Sequence, residues 1–212
     1  ELVFEQRKFF KIAAVNMSLG MGTFSETCGA ASPPVASAIN LLRKANIAPV
    51  IASGNNSYAT GISLPACLEG AISVGASTYN DTVAAFSNSA KFLSLLAPGM
   101  SISAAQKGGI YSSIPGAQFI NMPGTSMAAP HVAGAFAAMR SVSPAATIDQ
   151  ILITLQKTGK QITDQRNGVT VSRIQIDRAV AAISTKSPDQ VENIGGVRIY
   201  DDRTPDRGKI KW

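Results

Sequence analysis

Apolar residues along this chain fall into short runs set between polar, glycine-rich stretches, and their spacing alternates between the strand and helix types. Ile12 to Ser18 is an apolar run that stops at Gly20 and Gly22, the pattern of a buried strand ending in a loop. After Pro33-Pro34, the residues Val35, Ala38, Ile39, Leu41, Leu42 and Ala45 recur at helical spacing, which predicts an amphipathic helix over Val35 to Ala45. Ala48 to Ser53, closed by Gly54, and Ala71 to Ala76 are two further runs of strand type. Strand, helix and strand in that order predict a βαβ unit and hence a parallel sheet.

From Asn80 to Asn121 the pattern is mixed and predicts only a short strand near Phe92 to Leu96 and a turn at Pro98-Gly99. Ser126 to Met139 is rich in small and apolar residues, which fits a central helix buried on most sides, with Gly134 expected to allow close packing against the sheet. Thr147 to Thr158 puts Ile148, Ile151, Leu152 and Leu155 on one helical face, and Ile176 to Ile183 is a last short helix. Leu2-Val3-Phe4 reads as the end of an amphipathic helix begun upstream. The chain thus divides into a folded unit, 1–183, and a polar C-terminal extension, 184–212, containing Pro188, Gly195-Gly196 and Pro205.

Composition narrows this picture. A chain of 212 residues, 45% hydrophobic and 15% charged, can bury a core. No run approaches the roughly 18 apolar residues of a membrane span, and Glu1 to Lys8 has no signal-peptide pattern. The formal charge of +6 comes from scattered bases without interleaved aromatics, so neither nucleic acid nor membrane is an expected partner. Cys28 and Cys67 belong to no CxxC and no Cys/His cluster, so no metal or cofactor is expected. Their spacing alone leaves a disulfide and two separate thiols equally open.

The chemistry concentrates in Gly124-Thr125-Ser126-Met127-Ala128-Ala129-Pro130-His131-Val132-Ala133-Gly134-Ala135. A Gly-Thr turn here puts a serine at the first turn of a helix, where unpaired N–H groups and the positive dipole end favour a developing negative charge. Taken alone, such a turn is more often a simple helix cap. The whole string resembles the nucleophile motif of the subtilisin-like serine peptidases, and by that resemblance Ser126 forms the acyl-enzyme.

Ile51-Ala52-Ser53-Gly54-Asn55-Asn56 resembles the same family's oxyanion segment, which makes Asn55 the side-chain amide donor. Loss of such a donor costs on the order of 10²–10³ in turnover, a figure established on a subtilisin and carried over from it. Val15-Asn16-Met17-Ser18-Leu19-Gly20 resembles the edge against which family members bind extended peptides, implying that Ser18, Leu19 and Gly20 bind substrate and that Ser53 and Gly54 form the facing pocket wall. Ser63 falls near that pocket by rough correspondence. Ile72 to Ala76, Phe86-Ser87 and Leu96 to Gly99 follow in the family's order, so the resemblance runs from about Ile12 to about Ile183. It implies an α/β fold, the C-terminal portion of a doubly wound, mainly parallel sheet with helices on both faces. Cys28 and Cys67 resemble a bacterial branch with cysteines at these positions, which implies a disulfide and a secreted or periplasmic setting.

A serine needs a base to take its proton and a carboxylate to orient that base. The single histidine, His131, lies five positions after Ser126 and at helical spacing points away from its hydroxyl; in the family this position is structural. No aspartate precedes Asp81, and Asp81, Asp164, Asp177 and Asp201 match no catalytic position of the family. The expectation is a serine endopeptidase present as a piece without its catalytic Asp and His, inactive alone, whose partners are a peptide or protein substrate and the missing N-terminal half. The alternative is a peptide-binding pseudo-protease with the same fold. Isolated, the chain is expected to leave apolar sheet surface uncovered where that half would pack.

Overall fold

Four parallel strands form the heart of the chain: β1 (Ala14–Met17), β3 (Ala48–Ala52), β5 (Ile72–Ser77) and β6 (Leu95–Pro98). This is a computed structural model, and it describes residues 2–100 and 108–184. Two more strands, β9 (Lys160–Thr163) and β10 (Thr170–Arg173), form a hairpin, and β10 joins β6 in parallel. The resulting six-stranded sheet has the order β1-β3-β5-β6-β10-β9. Two small antiparallel ladders stand apart, β2 (Met21–Phe24) with β4 (Ile62–Leu64), and β7 (Ile110–Ile114) with β8 (Gln118–Met122). The helices are α1 (Leu2–Gln6), α2 (Pro33–Lys44), α3 (Thr125–Val142), α4 (Ile148–Thr158) and α5 (Ile176–Ser184).

Side chains of a strand alternate between the two faces of a sheet, and the central strands β3, β5 and β6 are covered on both, while β1 at the edge has no buried residue. Ala48, Val50 and Ala52 of β3, with Ile72, Val74, Leu95 and Ala97, join Ala128, Ala129, Val132, Phe136 and Met139 of α3 in one buried cluster, together with residues of α4 and α5. The intervening Ile51 and Leu96 belong to a second cluster with Ile39 of α2, Ile62, Leu68 and the two cysteines. Alanines on both α3 and the strands beneath it bring helix and sheet close. The observed architecture is an α/β fold with a mainly parallel sheet and helices on both faces.

Several expectations shift in detail. The strand predicted near Phe92 to Leu96 starts at Leu95, because the backbone turns first and Leu93 N donates to Ala90 O (3.0 Å). Gly134 does not pack against the sheet: it is exposed, and a Cβ there would meet no neighbour within 4 Å. It lies on an outward stripe of α3 with Pro130 and Ala137, also exposed. The β7/β8 hairpin was not predicted, since neither strand has a buried face to impose a period of two. The segment Leu2-Val3-Phe4 lies in the five-residue α1, which has no buried residue. The polar extension expected over 184–212 falls, beyond Ser184, outside the described residues.

Candidate active site

Parallel strands deliver the candidate residues to one end of the sheet, where open α/β sheets characteristically bind ligands. Ser18 to Gly20 follow β1, Ser53 to Asn55 follow β3, and Gly99 follows β6. The fourth contributor arrives from the other direction, as the start of α3. Gly124 caps that helix with φ of 154°, a region that favours glycine, and its N–H donates to Gly99 O (2.8 Å). Thr125 is then fully buried, and Ser126 emerges partly exposed in the first turn. First-turn N–H groups have no intrahelical carbonyl to meet, so the Ser126 N–H can serve an incoming oxyanion.

Asn55 stands beside it, exposed, with an orientation fixed by donors. Its Oδ1 receives the backbone N–H of Thr125 (2.9 Å) and the Thr125 hydroxyl (2.9 Å). A backbone N–H can only donate, so the atom it meets must be the amide oxygen; Nδ2 lies by the helix cap, where a Cβ on Gly124 would stand 3.5 Å from it and 3.6 Å from Ser126 N. Thr125 Oγ1 also accepts from Gly54 N (3.3 Å), which ties the two segments together.

Ser18 contributes in a way the sequence did not announce. Pro130 has no N–H, so Ser126 O loses the acceptor role it would fill in a regular helix. Ser18 Oγ replaces that donor, reaching Ser126 O at 2.7 Å, while Asn16 Nδ2 donates to Ser18 Oγ (3.0 Å). The Ser126 hydroxyl itself points at Ser18 O across a long 3.5 Å. Leu19 and Gly20 are exposed along the same rim, as an accessible peptide-binding edge requires.

Ser53 is fully buried, its hydroxyl donating to Asn88 O (2.9 Å) and its N–H to Val74 O (2.9 Å), so it lies behind the rim. Gly54 has φ of 107°, and a Cβ there would lie 2.4 Å from Ser63 Oγ; a Cβ on Gly20 would lie 3.0 Å from Ser63 Cβ. Ser63 therefore sits between the two predicted walls, and its N–H donates to Ser53 O (2.9 Å). Behind it, Cys28 and Cys67 are bonded, with Cys67 N donating to Ser63 O (3.1 Å).

No general base reaches Ser126 among the described residues. His131 Nδ1 donates to Met127 O (2.7 Å), one turn back along its own helix. It lines an open cleft with Ser126, Met127, Pro130 and Ile110 to Ser113 of the β7/β8 hairpin. Asp81 is held by Lys160, which with Arg173 lowers its pKa. At Asp164 burial pushes the carboxyl up, and the hydrogen bonds and charge of Arg166 outweigh it, so the net direction is down. Among the described residues, no group of three or more His, Cys, Asp or Glu could hold a metal, and no helix is long and apolar enough to cross a membrane. Sequence reasoning missed Thr125, Asn88 and the hairpin; the first two work through buried hydrogen bonds that leave no periodic trace.

Comparison with known proteins identifies the family. The extracellular serine proteinase of Thermus sp. is 40% identical over 145 residues, which are 68% of this chain and 32% of that protein. Subtilisin BL of Lederbergia lenta is 34% identical over 145 residues, 68% of this chain and 51% of the relative. The chain thus spans from about a third to about half the length of these two relatives. Among solved structures, a protease of Pseudoalteromonas arctica PAMC 21717 superposes with a TM-score of 0.69 at 31% identity, covering 81% of this chain and 51% of that one. The model of the subtilase family matches residues 10–189. With this match over most of its length, the chain belongs to the subtilase family, whose relatives here are serine proteases.

Proposed function

We propose that the chain carries the nucleophile and oxyanion half of a serine endopeptidase site, and that it acts outside the cytoplasm, as the extracellular proteinase of Thermus sp. is named to do. The observation that carries the reading is the double anchorage of Asn55 Oδ1 on Thr125, which frees its Nδ2 to donate, beside the Gly124 cap that precedes Ser126. In the complete reaction Ser126 Oγ attacks a peptide carbonyl, and an imidazole takes its proton. The tetrahedral oxyanion receives hydrogen bonds from Asn55 Nδ2 and the Ser126 N–H, and the proton passes to the leaving amine. Water then releases the acyl group by the same route. Ser18 to Gly20 pair with the extended substrate, and Ser53 and Gly54 wall the pocket for the residue before the scissile bond.

The base and its carboxylate come from polypeptide beyond these 212 residues, and the chain alone does not turn over. The missing half packs on two adjoining features: the outer edge of β1, unpaired in the sheet order, and the exposed stripe Pro130, Gly134 and Ala137 of α3. Fluorophosphonate labelling read by intact mass, with Ser126→Ala as control, tests this. The expected result is no adduct on the chain alone and a Ser126 adduct when the N-terminal half of a subtilase is supplied in trans. Stoichiometric labelling of the chain alone would overturn the need for an external base. No labelling under either condition, with extended peptides still bound, would make the protein a binding module.

A further inference from the structure

Beneath the oxyanion segment lies one fully buried polar side chain to which the proposed mechanism gives no role. Asn88 follows Phe86-Ser87 in the loop between β5 and β6 and has no exposed surface. Its Oδ1 accepts from the backbone N–H groups of Asn56 (2.9 Å) and Tyr58 (3.2 Å), and its Nδ2 donates to Ser63 Oγ (3.3 Å). Its own N–H donates to Gly54 O (2.9 Å), and its carbonyl accepts from Ser53 Oγ (2.9 Å). One residue therefore binds the backbone or side chains of Ser53, Gly54, Asn56, Tyr58 and Ser63, on both sides of Asn55 and along the pocket wall. The fit is tight, since a Cβ on Gly54 would fall 2.3 Å from Asn88 Nδ2.

The loop that presents Asn88 is itself held from outside. Arg166 donates to Ala85 O (2.9 Å) and Ser87 O (2.8 Å), and its guanidinium is gripped at both oxygens by Asp164, which is 2% exposed. Two backbone carbonyls and one carboxylate leave that arginine little freedom, so the platform under Asn88 is rigid.

We propose that Asn88 is the positioning residue of the oxyanion segment, seated by the Asp164–Arg166 pair, and that it holds Asn55 and the pocket wall in reacting geometry. This rests on the reading of Asn55 as oxyanion donor. An asparagine suits the task because one side of its amide accepts two converging N–H groups while the other donates to a hydroxyl. A carboxylate at the same place keeps the acceptor side, and the Ser63 hydroxyl can turn to donate to it.

Amide hydrogen exchange on the chain tests this without turnover. In the wild type, the Asn56 and Tyr58 amides should be protected although both residues are exposed at the surface; unprotected amides would overturn the proposal before any variant is made. Asn88→Ala should raise exchange at Asn56 and Tyr58 by at least about tenfold while Ile51 and Val74 keep their protection, and Asn88→Asp should restore it. Ser94→Ala, which removes the Ser73–Ser94 pair elsewhere on the sheet, serves as the purely structural comparison. If Asn88→Ala changes those two amides by less than about twofold, or loosens Ile51 and Val74 as much as Asn56 and Tyr58, or if Ser94→Ala loosens Asn56 and Tyr58 equally, Asn88 is only a core residue. Failure of labelling in the complemented protein would count against the peptidase reading and leave the exchange result standing.

Discussion

Thr125 shows how one buried side chain can set a reactive geometry without touching the reacting atoms. Its hydroxyl donates to Asn55 Oδ1 and accepts from Gly54 N, and its backbone N–H also meets Asn55. Replacing it with valine keeps the volume and deletes the hydroxyl, which leaves the half-buried Gly54 N–H without that acceptor. Thr125→Val should cost about 1–3 kcal/mol in denaturant unfolding, and Thr125→Ser should recover most of it. Labelling of Ser126 in the complemented protein should fall with valine and return with serine, because Asn55 loses one of two anchors. The nucleophile string was readable in the sequence because it is contiguous. Thr125 lies inside that string, yet its partner is seventy residues away, so its task was not readable.

At the scale of elements, the proline in α3 and the serine after β1 complete each other. The missing N–H of Pro130 frees Ser126 O, and Ser18 Oγ fills the gap, so the start of the helix is fastened to the end of a strand. A second fastening is the disulfide, which joins the loop before α2 to the end of the β4 segment across 39 residues. Closing a loop of that length should contribute about 4 kcal/mol by loop entropy. The Cys28→Ser, Cys67→Ser double variant should unfold at lower denaturant by nearly that amount, with the Cys67 amide losing protection first, since Cys67 N donates to Ser63 O. Helices α2, α3, α4 and α5 were predictable to within a few residues, because α2, α4 and α5 have an apolar face at helical spacing and α3 is a long run of small and apolar residues. The hairpin β9/β10 and the ladder β2/β4 were not, since all of these strands are only three or four residues long, and β2 and β4 also lie far apart in the chain.

Over the whole molecule, charge pairs tie the β9/β10 hairpin back to the loop between β5 and β6. Lys160 and Arg173 meet Asp81 of that loop, and Arg166, paired with Asp164 inside the hairpin turn, donates to the loop carbonyls of Ala85 and Ser87. Both carboxyl pKa values are lowered in the fold. A group depressed on folding stabilises fully above its unfolded value, near about 3.9, and loses that contribution as pH falls through the folded value. Stability should therefore be flat near neutrality and decline below the ordinary carboxylate range. Asp164→Asn should be less stable than wild type at pH 7, and the difference should close in acid; urea midpoints measured across pH check both. A gap that persists unchanged at the lowest pH would mean that Asp164 stabilises by packing and not by charge.

What the sequence by itself determined was the succession of the main strands and helices along the chain, the parallel sheet they imply, and the identity of Ser126 and Asn55 as candidates. Hydrophobic period and contiguous motifs are local properties, and they survive in one dimension. Only the tertiary structure decided which way the Asn55 amide faces, that Ser63 stands between Gly20 and Gly54, that Gly134 looks outward, and that Asn88 underlies the oxyanion segment. Each of these depends on a donor or a neighbour from a distant segment, and no spacing along the chain records where folding will bring it.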